Sequence, residues 1–436
     1  NKLVRVSAQL YQNNSFNGNA MESWEDLRPY NELEQIDSVL ALRHHLVISG
    51  RANGFSNIWV IAYTNQKHLG PWQSLSFPEQ TYNVWLSENY VYDAETVRLG
   101  YSSFITPRQV QDYNLYTGEI TILKEQAVPG YDRSHYACRR MEAKSRDGKT
   151  CIPMSLVYHK KLLSRSSSPF TQDDATGQWR QDLSRPENCL YRAPTLLYGY
   201  GSYGYPIDPT FDFKRLALLD RGVIFVIAHI RGGGENGRSW YEKEGKYCTK
   251  MTTFHDFADC AKTLISQQIT LPDRLAIVGR SAGGLLIGAT INMYSSLFKV
   301  AVADVPFVDV LNTMSDPTIP LTVTEWEEWG NPNEETFHNY MKRYSPYDNI
   351  RAQRYPSLLV TAGLHDPRVP YWEAAKLVAK LRATAKDYIT PSNPIYLKTD
   401  MSSGHFSASD RYKYIKETSF EYAFILDQIG ARELIQ

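Results

Sequence analysis

The chain has 436 residues, enough for two or more domains, each with a substantial core. Lys plus Arg and Asp plus Glu both number 47, so no net basic field exists to draw it to nucleic acid or to an anionic membrane. No run reaches the ~18 consecutive apolar residues that a membrane-spanning helix needs.

Residues 1 to about 140 read as all-β. Short strand-like runs are Leu46–Ile48, Ile58–Ile61, Val84–Leu86, Val97–Tyr101 and Ile120–Leu123, parted by polar turns such as Asn114–Glu119. Their spacing suits a β-propeller, whose blades have four strands and run ~40–50 residues each. That stretch holds about three blades where a propeller has four or more, and the chain opens on Asn1. The expectation is that further N-terminal blades precede this sequence. The alternative is a small complete β domain. The first 20 residues are polar and lack the apolar core of a signal peptide. The five cysteines, Cys138, Cys151, Cys189, Cys248 and Cys260, are odd in number and irregularly spaced. This argues against a disulfide framework or zinc site and favours a reducing, cytoplasmic compartment.

From residue 141 to 436 strands and helices alternate. Strands are expected at Ile152–Tyr158, Thr195–Tyr198, Val223–Ile227, Leu275–Val278, Val300–Ala303, Leu358–Thr361 and Ile395–Lys398. Several are continuous aliphatic runs, as in a sheet buried on both faces. Helical patterns include Trp372–Leu381 and about Tyr414–Leu426, while Ser164–Arg192 is polar and reads as a surface loop. The fold class is therefore α/β, a doubly wound sheet following a β domain, with the seam at 140/141.

One stretch carries chemistry. Gly279-Arg280-Ser281-Ala282-Gly283-Gly284 follows one apolar run and opens another, so it reads as strand, sharp turn and helix with a serine at the apex. The pattern G-x-S-x-G is the nucleophile elbow of α/β-hydrolases. The turn strains the serine and brings backbones close, which the flanking glycines permit. Asp366 lies just past the run Leu358–Gly363, and His405 follows Ile395–Lys398. The order Ser281, Asp366, His405 is the hydrolase order, and each residue falls past a strand's carboxyl end. His365 is a competing base, disfavoured because it adjoins Asp366. The Ala282 N–H is placed to meet a developing oxyanion. The cluster Glu325, Glu327, Glu328 sits among Trp326 and Trp329. It is either a solvated acidic helix face or a pocket for a basic side chain.

Several stretches together resemble the oligopeptidase B branch of the prolyl oligopeptidase family. They are Tyr198–Gly204, Arg231–Glu235, Gly279–Gly284, Val305–Val310, Glu325–Pro332, Gly363–Asp366 and Gly404-His405, with Leu99–Ser103 to Glu119 similar to the last propeller blade. The resemblance implies an α/β-hydrolase domain capped by a propeller that limits substrates to short peptides. It implies a serine endopeptidase with Ser281 as nucleophile, His405 as base, Asp366 as its partner, and the Tyr200 phenol as second oxyanion donor. It implies that Glu325 and Glu327 bind a basic P1 residue, Arg or Lys. Arg368 would hold the substrate backbone, and Tyr203 would wall the P1 pocket. Asp208-Pro209-Thr210 keeps one acid of an Asp-x-Asp that favours a basic P2 residue in some relatives. Dibasic preference is then expected to be weak, or to draw on Asp212. No cofactor or metal is implied. A proline-preferring or acylaminoacyl peptidase, a carboxylesterase, and an inactive propeller binding protein remain as alternatives. The oligomeric state, a homodimer included, stays open.

Overall fold

Hydrophobic alternation folds the first part of the chain into antiparallel sheets. The computed structural model describes residues 2–6, 24–64, 69–162, 170–172, 179–181, 190–386, 393–406 and 411–435. Strands β1 (Leu3–Arg5) and β2 (Glu25–Arg28) pair with each other. β3 (Glu34–Ala41), β4 (His45–Ala52), β5 (Phe55–Ala62) and β6 (Gln73–Ser74) form a four-stranded sheet in chain order. β7 (Tyr82–Leu86), β8 (Thr96–Ser103), β9 (Gln109–Asn114) and β10 (Ile120–Glu125) form another. Each is the up-and-down sheet of a propeller blade. Val47, Ile58, Val60, Val84, Val97, Leu99 and Tyr101 form a shared core. The turn read at Asn114–Glu119 joins β9 to β10, with Gly118 at φ 76°. Two complete blades and one strand pair thus stand among the described residues, where the spacing suggested about three blades.

The chain divides into two units. The first is Asn1–Val128 with Asp208–Phe211 and Gly234–Trp240; the second is the remainder. The expected seam at 140/141 needs correcting, because it falls inside β11 (Tyr136–Lys144), a strand of the second unit's sheet.

The second unit is built on eight strands. After β11 come β12 (Cys151–His159), then β15 (Thr195–Tyr198), β16 (Ile224–Ala228), β17 (Leu275–Arg280), β18 (Val300–Asp304), β19 (Ser357–Gly363) and β20 (Ile395–Asp400). A separate hairpin, β13 (Phe170–Gln172) and β14 (Trp179–Gln181), lies within the stretch read as a loop; most of that stretch is outside the described residues. The order is β11-β12-β16-β15-β17-β18-β19-β20. β11 and β12 join antiparallel, and β15 to β20 run parallel. All seven residues of β19 and all five of β16 are buried, so both faces of the sheet are covered. The principal helices are α1 (Met251–Ser266), α2 (Ala282–Tyr294), α3 (Thr322–Trp329), α4 (Tyr371–Thr384) and α5 (Arg411–Gln428). α2 packs against β17, β18 and α1, α4 against β19 and β20, and α5 against β18 and β19. Burying a leucine such as Leu286 or Leu358 completely contributes roughly 1.5–3 kcal/mol. No described helix is long and apolar enough to cross a membrane.

Candidate active site

Ser281 stands between β17 and α2 at φ 57°, ψ −117°. A non-glycine residue there carries ~1–3 kcal/mol of strain and persists only where its surroundings hold it. Its N–H donates to the Asp304 carbonyl at 2.9 Å, and its own carbonyl accepts from Gly284 at 2.8 Å and Phe307 at 3.2 Å. The glycines are sterically required. A Cβ at Gly279 would lie 2.1 Å from the Gly283 carbonyl oxygen, and one at Gly284 would lie 2.4 Å from Pro306 Cβ.

His405 and Asp366 come from the loops after β20 and β19. The parallel pairing of those strands delivers both loops to one end of the sheet. His405 Nδ1 lies 2.7 Å from Asp366 Oδ2, and His405 Nε2 lies 3.1 Å from Ser281 Oγ. The other carboxylate oxygen, Oδ1, accepts from the N–H groups of Arg368 at 2.8 Å and Val369 at 2.9 Å, so Oδ2 is left to face the ring. A carboxylate accepts only, so the ring proton belongs on Nδ1 and the Nε2 lone pair faces the serine. His405 is 5% exposed and Asp366 9%. His365, the competing base, is exposed.

One contributor was not anticipated. Arg280, the residue before the serine, donates to the backbone carbonyl of His405 and to the Asp304 carboxylate. A cation at the end of the apolar run Leu275–Val278 was the only sequence signal for it.

A cavity of about 320 Å³ opens beside Ser281. Tyr200, Tyr203, Phe307, Glu325, Trp329 and Arg368 are on its walls. Ala282 begins α2, so its N–H has no partner within the helix. The Tyr200 hydroxyl makes no hydrogen bond to any described residue, and burial pushes its pKa upward, so it stays a protonated donor. Tyr203 donates its hydroxyl to Glu325 Oε2 at 2.8 Å, and Trp329 Nε1 donates to the same oxygen at 2.9 Å. The Arg368 guanidinium lies 5.1 Å from the centre of the Phe406 ring.

The acidic cluster does not act as one. Glu325 lines the cavity, but the Glu327 side chain is 81% exposed and donors on Lys246 and Tyr247 hold it at 2.8 and 3.2 Å. The pairing of Glu325 with Glu327 therefore needs correcting. Residues two apart on a helix face different directions, whereas Glu325 and Trp329, four apart, share a face. Lys246 lowers the pKa of Glu327. Glu328, 3% exposed, is buried instead. Asp208 belongs to the first unit, where its carboxylate pairs with Arg51, and it is absent from the cavity walls. Asp212 caps a short turn of helix by accepting from the Lys214 N–H.

A strained serine between strand and helix, in line with a histidine and an aspartate at the carboxyl end of a parallel sheet, defines an α/β-hydrolase domain. Comparison with known proteins narrows the class. Residues 209–432 match the prolyl oligopeptidase family and residues 2–126 match the prolyl oligopeptidase N-terminal beta-propeller domain. Protease 2 of Moraxella lacunata is 43% identical over 413 residues, covering 94% of this chain and 54% of that protein. Oligopeptidase B from Leishmania major superposes with TM-score 0.81 at 42% identity, covering 96% of this chain and 55% of that one. Oligopeptidase B from Trypanosoma brucei, in its closed form with covalently bound antipain, gives TM-score 0.80 at 45% identity, covering 94% and 54%. The chain belongs to the prolyl oligopeptidase family of serine peptidases. It spans about half the length of the relatives it matches.

Proposed function

We propose that this chain carries the catalytic machinery of a serine peptidase that cuts short peptides after Arg or Lys. The observation that supports it is the hydrogen-bonded line Asp366–His405–Ser281 opening on a cavity that holds the Glu325 carboxylate.

Ser281 Oγ attacks the peptide carbonyl carbon while His405 Nε2 takes its proton. The carbonyl oxygen, now negative, accepts hydrogen bonds from the Ala282 N–H and the Tyr200 hydroxyl. Asp366 stabilises the imidazolium. The carbon–nitrogen bond then breaks, His405 protonates the leaving amine, and an ester on Ser281 remains. Water, deprotonated by His405, cleaves that ester; the acid leaves and the serine regains its proton.

Glu325 is fixed by two donors, Tyr203 and Trp329, and still presents a charge to the cavity. A guanidinium or ammonium at P1 offers the charge-assisted partner it lacks, and Tyr203 walls that subsite. A proline at P1 would leave the carboxylate desolvated without compensation. Arg368 is placed to take a substrate backbone carbonyl.

The test is a pair of fluorogenic peptides differing only in P1, Arg against Pro, with wild type and Ser281→Ala. Turnover of the Arg peptide alone, abolished in Ser281→Ala, is the expected result. Preference for Pro, or an equally active Ser281→Ala, overturns the reading.

A further inference from the structure

The loop Gly199–Gly204 carries Tyr200 and Tyr203, and it is strained. Gly201, Tyr203 and Gly204 stand at φ 67°, 60° and 62°. Tyr203 has a side chain, so its left-handed backbone costs ~1–3 kcal/mol and needs to be held from outside.

Two buried charges hold it. Lys250, just before α1, is 1% exposed, and Glu328, in the last turn of α3, is 3% exposed. Lys250 Nζ donates to the Gly201 carbonyl at 2.6 Å and to Ser202 Oγ at 2.7 Å, and it reaches Glu328 Oε1 at 3.4 Å. Glu328 Oε1 accepts the Tyr203 N–H at 3.1 Å, and Oε2 accepts the Tyr241 hydroxyl at 2.5 Å. Three consecutive loop residues are each gripped by a member of this pair. Neither member lines the cavity or touches Ser281, His405 or Asp366.

We infer that Lys250 and Glu328 are positioning residues that lock the strained loop, so that the Tyr200 hydroxyl stays aimed at the oxyanion and Tyr203 stays against Glu325. The inference rests on the peptidase reading above. Stability alone is a poor explanation for such a pair, because well-packed apolar residues of similar volume commonly serve as well or better than a buried ion pair. An apolar pair cannot supply polar contacts to Gly201, Ser202 and Tyr203.

That difference sets the experiment. Lys250→Met alone leaves a buried carboxylate unpaired and can unfold the chain. The informative variant is the double Lys250→Met/Glu328→Leu. It is expected to melt within a few degrees of wild type while kcat on an Arg-P1 peptide falls ~30–100-fold, as for loss of an oxyanion donor. The pH midpoint of kcat/KM is expected to stay put, because the serine, histidine and aspartate are untouched. Glu328→Gln keeps an acceptor for the Tyr203 N–H and removes only charge. It is expected to retain kcat within ~3-fold and carries the test should the double variant not fold. A double variant with wild-type kcat, or Glu328→Gln as impaired as Glu328→Leu, overturns the inference. Wild type is run alongside on the peptide and on p-nitrophenyl acetate. Inactivity on both would mean that the peptidase reading itself has failed, and the inference with it.

Discussion

Glu373 gives a pH signature to the ground behind the serine. It lies in the first turn of α4 and is 0% exposed. Oε2 accepts the N–H groups of Val308 at 2.7 Å and Asp309 at 2.8 Å, and Oε1 meets Thr313 Oγ1 at 2.6 Å. Asp309 and Lys376 form the charged pair beside it. Burial pushes its carboxyl up to about 7 from 4.5, against the lowering effect of those three hydrogen bonds. The folded chain therefore binds this proton more tightly than the unfolded chain. The resulting stability is fully present below pH 4.5 and is lost as pH rises through about 7. An interval of about 2.5 pH, at ~1.36 kcal/mol each, amounts to about 3 kcal/mol. Glu373→Gln copies the protonated acid: its oxygen accepts both backbone N–H groups and its amide donates to Thr313. Denaturant midpoints from pH 4.5 to 8 are expected to coincide at the acid end. At pH 8 the variant is expected to be more stable by up to about 3 kcal/mol. Taking the difference cancels other titrating groups, such as His255, whose pKa burial and Arg146 lower to about 4. Parallel profiles for variant and wild type would refute the reasoning.

Tyr200→Phe is expected to lower kcat ~10²–10³-fold with KM within ~3-fold; unchanged turnover in a folded variant removes the phenol from the mechanism. Glu325→Gln is expected to raise KM for an Arg-P1 peptide at least ~10-fold while Glu327→Gln stays within ~2-fold of wild type, and steady-state kinetics showing the reverse ranking would sink the assignment. Gly279→Ala drives a methyl to 2.1 Å from a backbone oxygen, so a melting point several degrees lower, or no folded protein, is expected. Arg280→Met is expected to reduce kcat and shift the pH profile of kcat/KM, because the loop bearing His405 loses its grip; an unaltered profile and rate contradict this.

The parts legible in sequence were those fixed locally. The apolar runs at Leu275–Val278 and Leu358–Thr361 became fully or nearly buried strands because such runs suit a sheet covered on both faces. The elbow was legible because its backbone geometry excludes side chains at defined positions. Other features depended on partners distant in sequence. β11 was missed because it alternates buried Met141 and Ala143 with exposed Glu142 and Lys144, which reads as a polar stretch. The short returns at Asp208–Phe211 and Gly234–Trp240 join the first unit through contacts, with no composition shift to mark them. Glu325 and Glu327 looked equivalent as letters, and only the helical turn between them separates cavity from solvent. Lys250 stood among ordinary lysines until folding buried it under Gly201 and Ser202.

The hold of Arg280 on residue 405 has a consequence for how this centre is assembled. The guanidinium fastens to a main-chain oxygen and not to the imidazole. The seat is thus defined by the residue next door to the nucleophile, whatever ring or aliphatic group occupies it. A replacement installed at 405 would inherit the same perch over Ser281, so the scaffold can be emptied of its base without losing the address.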